Sequence, residues 1–256
     1  MQVPKRSSRA PRVFAPVALD SSHPTAATRR PARSKTSAVS VDRPVRRVVT
    51  RSGRGIRGKF PSLKLGEMVA WESPLEADAI RLFEFNVGVA HYCAQPSWEV
   101  YQDAAGNVHS FVPDFRVELV AGGSLLVEVK SDADAAYPPT ARVLGLKAMA
   151  MQAQGKRYRV LTPRQIREQP RFGNLKELER CAKGPLDDDV IQSLNGLDRG
   201  TTFTVQEIAL ALGSTEMVYR AIAHGRLRTD LQRTLNTESL VWHPDNREAG
   251  DGSFPI

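Results

Sequence analysis

Apolar positions are sparse and unordered up to about residue 50, helical in spacing from residue 73, alternating from residue 89 and helical again beyond residue 170. Glu72-Ser73-Pro74-Leu75-Glu76 reads as a helix start. Ser73 is the N-cap, Pro74 suits the first helical position, and Glu76 sits where a capping box needs a carboxylate. Leu75, Ala79, Leu82, Phe83 and Phe85 then supply an apolar stripe, and Asn86-Val87-Gly88 ends the helix. From Val89 to Leu126 the period is two. Ser97–Gln102 alternates, Ala105-Gly106-Asn107 turns, His109–Val120 runs back, and Ala121-Gly122-Gly123 turns into Ser124–Lys130. This predicts three strands of an antiparallel meander. A second helix is expected over Thr140–Gln154, carrying Val143, Leu146, Lys147 and Ala150, then a fourth strand over Tyr158–Leu161 and a helical piece from Pro163. Arg51–Lys64, rich in Gly and Arg, reads as a loop leading into this unit.

Residues 51–168 thus form an α/β unit, and residues 169–256 form a second, smaller one. Thr204–Leu212, Gly213-Ser214 and Thr215–His224 read as two helices joined by a tight turn, and Leu227–Leu231 with Ser239–Trp242 as the strands of a wing. That is a helix-turn-helix, or winged-helix-like, pattern.

Charge changes the picture at the N-terminus. The chain of 256 residues carries a formal net charge of +8, but residues 1–60 hold 15 Lys and Arg against two acids, and the remainder is mildly acidic. Residues 1–50, rich in Pro, Ser, Thr and Ala, lack the apolar content to offset ordering entropy and are read as a disordered basic tail. Such an arm gains affinity for nucleic-acid phosphates by counterion release; a plain solubilising extension is the alternative, and an organellar transit peptide has a similar composition. No apolar stretch is long enough to span a membrane. Cys93 and Cys181 cannot build a disulfide framework, and their spacing suits no structural zinc, which fits a reducing cytosol.

The chemistry is concentrated in Pro113-Asp114 and Glu128-Val129-Lys130. Residues two apart on a strand share a face, so Glu128 and Lys130 project together, and the Ala121–Gly123 turn can bring Asp114 beside Glu128. Paired carboxylate oxygens suit magnesium, with manganese as a substitute. A nearby lysine suits phosphodiester hydrolysis, in which it orients water or balances charge at phosphorus. Glu76 is a candidate third carboxylate, with Glu72 one turn before it. A solvated cross-strand ion pair fits the bare spacing equally well. Arg54, Arg57 and Lys59, flanked by glycines, are candidate DNA contacts, as are Lys147, Arg220 and Arg226 with His224 and Arg228 beside them. A solvated helix face is the simpler expectation for Lys147. His109 is expected to be a surface histidine without a catalytic role, and Gln95-Pro96 a turn before a strand.

The blocks GKFPSLKLGEMVAWESPLEADAIRLFEF, AQP, VPDF and LLVEVK, in this order over roughly residues 54–168, resemble the TnsA endonuclease family, the restriction-enzyme-fold subunits of heteromeric transposases. The resemblance implies a PD-(D/E)xK core. It implies Glu76 as the helix carboxylate, Asp114 as the metal-bridging carboxylate, Glu128 with the Val129 carbonyl as further ligands, and Lys130 as the catalytic lysine. It further implies magnesium-dependent cleavage at the 5′ ends of a transposable element in a prokaryotic cytoplasm, with double-stranded DNA, a DDE-type transposase and an AAA+ regulator as partners. The basic tail has no counterpart in that pattern. A stand-alone restriction or repair nuclease, and a non-enzymatic DNA-binding regulator, are the competing readings.

Overall fold

The computed structural model describes residues 56–256 except Arg247; the tail expected over residues 1–50, together with Arg54, lies outside the described residues. The elements in chain order are β1 (Gly58–Ser62), β2 (Glu67–Trp71), α1 (Pro74–Phe85), β3 (Val89–Ala94), β4 (Glu99–Gln102), β5 (Val108–Phe111), β6 (Phe115–Leu119), β7 (Ser124–Val129), α2 (Asp132–Ala136), α3 (Pro138–Ala153), β8 (Arg157–Leu161), α4 (Pro163–Ile166), α5 (Arg171–Cys181), α6 (Asp188–Asn195), β9 (Thr202–Thr204), α7 (Val205–Leu212), α8 (Thr215–Ala223), β10 (Arg228–Thr229) and β11 (Leu240–Trp242). The architecture is mixed α/β, and no described helix is long and apolar enough to cross a membrane.

The central sheet has the order β3-β6-β7-β8, antiparallel except that β8 runs parallel to β7 after the α3 crossover. Strand alternation sends Leu125, Val127 and Val129 into the main apolar core with α1, and Leu126 into a second cluster with Phe111 and Met151, against which Tyr158 packs. Both faces of β7 are therefore covered, so any polar side chain there must find partners.

The meander expectation needs correction. His109–Val120 is not one strand: it breaks at Val112-Pro113-Asp114 into β5 and β6, because Pro113 has no N–H to give a ladder. β5 pairs with β4 in a separate two-stranded hairpin, and β6 pairs with β3, an element the sequence reading passed over. The loop expected over Arg51–Lys64 contains β1, paired antiparallel with β2. Gly58 is needed there, since a Cβ at that position would lie 2.4 Å from the Trp71 ring.

Helix α1 follows its expected signals: the Ser73 hydroxyl accepts the Glu76 N–H at 3.1 Å, and Ala79, Ile80, Leu82 and Phe83 are fully buried. Glu84 on the same helix is buried too, and its carboxylate accepts the hydroxyls of Ser62 and Tyr92, each at 2.6 Å, and the N–H groups of Leu63 and Lys64. Four donors satisfy this buried charge and tie the β1–β2 turn to α1.

In the C-terminal part, α7 and α8 meet at Gly213, whose φ of 85° closes the turn. β10 and β11 pair as the expected wing, with β9 as a third strand on the far side of β11. The described residues belong to one compact unit, and Leu175 and Leu178 of α5 with Val218 and Ala221 of α8 join the same apolar cluster as α1.

Candidate active site

Asp114 stands at the strand break, half-buried, and is fixed from two directions. Its carbonyl accepts the Gln95 N–H at 2.9 Å, and its carboxylate Oδ2 accepts the Val129 N–H at 2.7 Å. Gln95 itself, at the end of β3, is buried with a left-handed φ of 49°, a conformation that non-glycine residues adopt only under local constraint. So Gln95-Pro96 does more than precede a strand: it braces the backbone of Asp114. Burial pushes the Asp114 carboxyl up to about 7, opposed by the Lys130 charge and assisted by Glu128.

Glu128 and Lys130 share the face of β7 that looks toward α3, as alternation requires, and lie 3.0 Å apart. Lys130 Nζ is also 3.3 Å from the Val129 carbonyl oxygen. The ammonium therefore marks a point on which a Glu128 carboxylate oxygen and the Val129 carbonyl converge. Burial pushes the Glu128 carboxyl up, but Lys130 and Lys147 outweigh it and hold it below the usual carboxylate range. Burial likewise depresses the Lys130 ammonium, and Asp114 and Glu128 more than reverse that.

Glu76 is turned back into its own helix cap, accepting the Glu72 N–H at 2.7 Å and the Ser73 hydroxyl at 3.1 Å. Burial raises its pKa, and the Lys130 charge opposes this. Glu76 thus feels the Lys130 charge from the first turn of α1, and Glu72 lies before the helix begins. Glu72 faces Arg57 at 4.0 Å.

Lys147 departs most from expectation. It is not on a solvated face but only 8% exposed, and its Nζ donates to Glu128 Oε1 at 3.0 Å and Oε2 at 3.1 Å. The Tyr158 hydroxyl donates to Oε2 at 3.1 Å, a partner that the sequence reading missed. A pocket of about 280 Å³ opens beside these groups, lined by Glu128, Lys130, Lys147, Pro139, Thr140 and Val143.

The remaining candidates lie elsewhere. Lys59 is exposed on β1 and Arg226 is exposed after α8. Arg220 donates to the Cys181 carbonyl at 2.9 Å and to Glu216 at 3.1 Å. His224 Nε2 lies 3.2 and 3.1 Å from the carbonyls of Ala182 and Gly184. These two side chains bind α8 to the end of α5. His109 belongs to the hairpin, not to the strand beside Asp114, where it lies 2.8 Å from Asp103 and stacks on Tyr101.

The donors that converge suit a hard divalent cation: a Glu128 oxygen and the Val129 carbonyl already face one cation, the Lys130 ammonium, and the Asp114 carboxylate is anchored to the Val129 N–H. Among the described residues no three His, Cys, Asp or Glu side chains are placed to hold an ion by themselves, since Glu76 is engaged in its cap. No family model matches the chain, and no curated protein matches it.

Proposed function

We propose that this chain is a metal-dependent DNA endonuclease on a PD-(D/E)xK core, cutting the 5′ ends of a transposable element as the partner of a DDE-type transposase. The observation that carries this reading is the bond from the Val129 N–H to Asp114 beside the Glu128–Lys130 pair. It joins the two halves of the motif that the TnsA-like blocks share. A pair of surface charges would gain little from such burial.

Asp114, Glu128 and the Val129 carbonyl would hold magnesium or manganese, which when bound polarises the phosphoryl oxygens and acidifies water. Lys130, on the exposed side of Glu128, orients the attacking water and balances the charge that develops at phosphorus. Glu76 adds negative potential from the helix start. Burial raises the Asp114 carboxyl against the opposing Lys130 charge, and a bound cation would favour its ionised form.

Lys59, Arg226 and the basic N-terminal arm, with Arg54 in it, supply contacts to the DNA backbone without reading sequence. Arg220 and His224 are spent inside the fold, and Glu216 stands at the start of α8. This supports the helix-turn-helix as a docking module for a protein partner, the transposase or an AAA+ regulator, over a reader of bases. The reading places the protein in a prokaryotic cytoplasm, on DNA.

Calorimetric titration of the full chain with Mn2+ tests the site. Wild type should bind, and Asp114→Ala should bind at least about tenfold more weakly. Equal binding by the two proteins overturns the assignment.

A further inference from the structure

Glu128 is 5% exposed, and three side chains from three elements reach its carboxylate. Lys130, the residue after β7, reaches Oε1, Lys147 of α3 reaches both oxygens, and Tyr158 of β8 reaches Oε2. The two that reach Oε2 are braced by each other's surroundings. Lys147 Nζ lies 4.3 Å over the Phe111 ring, and Phe111 meets Tyr158 edge-on with centroids 6.2 Å apart. Lys130 is different: its side chain is 29% exposed, at the rim of the pocket.

A buried carboxylate with Lys130 as its sole cation would hold that lysine tightly, because releasing it would strand the charge. A second, permanently buried cation removes that constraint. A lysine this buried is rarely a solvated surface group, and its ion pair goes to the motif glutamate. We infer that Lys147 and Tyr158 are positioning residues that clamp the Glu128 carboxylate, Lys147 across both oxygens and Tyr158 at Oε2, so that its orientation toward the cation site is fixed and Lys130 is free to act at the scissile phosphate. The inference rests on the endonuclease reading above and adds two residues that lie outside the Asp-Glu-x-Lys constellation.

The test uses the full chain and Mn2+ alone as probe, without DNA. Tyr158→Phe removes one hydroxyl and keeps the ring; Lys147→Met removes the charge and keeps the length. Each should weaken Mn2+ binding roughly tenfold, leave metal-free DNA affinity unchanged, and have no further effect in a Glu128→Gln background. Wild-type Mn2+ binding by both variants overturns the clamp. So does tighter binding by Lys147→Met, the result if its charge simply repels the ion. A salt-dependent loss of DNA affinity alone also overturns it and makes Lys147 a backbone contact. Should Lys147→Met fail to fold, Tyr158→Phe decides the matter. If wild type and Asp114→Ala bind Mn2+ alike, the endonuclease reading fails and the clamp with it; a clamp that fails alone leaves that difference intact.

Discussion

The Asp114 carboxylate accepts the backbone N–H of Val129 at 2.7 Å, tying the break after β5 to the end of β7 across 15 residues of sequence. One oxygen is thereby held by the main chain of the residue that lies between Glu128 and Lys130. Replacing Asp114 by Ala removes a half-buried carboxyl group next to the site proposed for phosphate. Cleavage should fall to background while DNA affinity stays level or rises slightly. Nicking and gel-shift assays on the same preparation check this; wild-type cleavage by the variant would contradict the assignment.

The same carboxyl makes stability depend on pH. Its pKa rises from an ordinary 3.8 to about 7 on folding, chiefly through burial. Between those values the folded chain keeps a proton that the unfolded chain has released, so stability falls as pH rises through the window and levels off above it. Asp114→Asn lacks this slope and should melt higher than wild type at pH 8, with the difference vanishing near pH 4. Melting curves in chelator measure it. Parallel pH profiles for the two proteins would show that Asp114 is ionised in the fold.

Glu76 holds a helix cap and is proposed to act at the site, and one substitution separates the two roles. A Gln at this position can still accept the Glu72 N–H and the Ser73 hydroxyl, so Glu76→Gln should lose less than about 1 kcal/mol of stability. Its cleavage should nevertheless drop at least tenfold if the negative charge is used near Lys130. Unchanged cleavage would confine Glu76 to the cap, where its bonds to Glu72 and Ser73 already place it.

Glu84 makes the opposite case: a buried carboxylate with four donors and no path to the site. Glu84→Ala leaves several of those donors unsatisfied and should cost about 3 kcal/mol in urea unfolding, while Tyr92→Phe should cost about 1 kcal/mol. Specific cleavage by whatever folds should be unchanged.

The sequence carried the parts of this structure whose signals are local. Ser73, Pro74 and Glu76 announce α1 within four residues, and the i, i+2 spacing of Glu128 and Lys130 fixes their common face whatever the sheet order. Sheet order itself is not local. β3 carries little local signal because its partner β6 lies across the β4–β5 hairpin, and Pro113, the signal that divides β5 from β6, sits inside an alternation that otherwise runs on. Lys147 and Tyr158 follow Glu128 by 19 and 30 residues on separate elements. A single lysine in the sequence of α3 carries no mark of its own burial; only the α3 crossover and the parallel β7–β8 register bring it there.

Lys130 is proposed to work at a scissile phosphate in concert with a transposase partner. The most direct measurement is nicking of element-end DNA in magnesium or manganese, with and without a DDE-type transposase, comparing wild type with Lys130→Ala. The expected result is 5′-end cleavage that needs both the partner and Lys130. Cleavage by wild type alone would point to a stand-alone nuclease, and cleavage that survives Lys130→Ala, or none under either condition, would contradict the account.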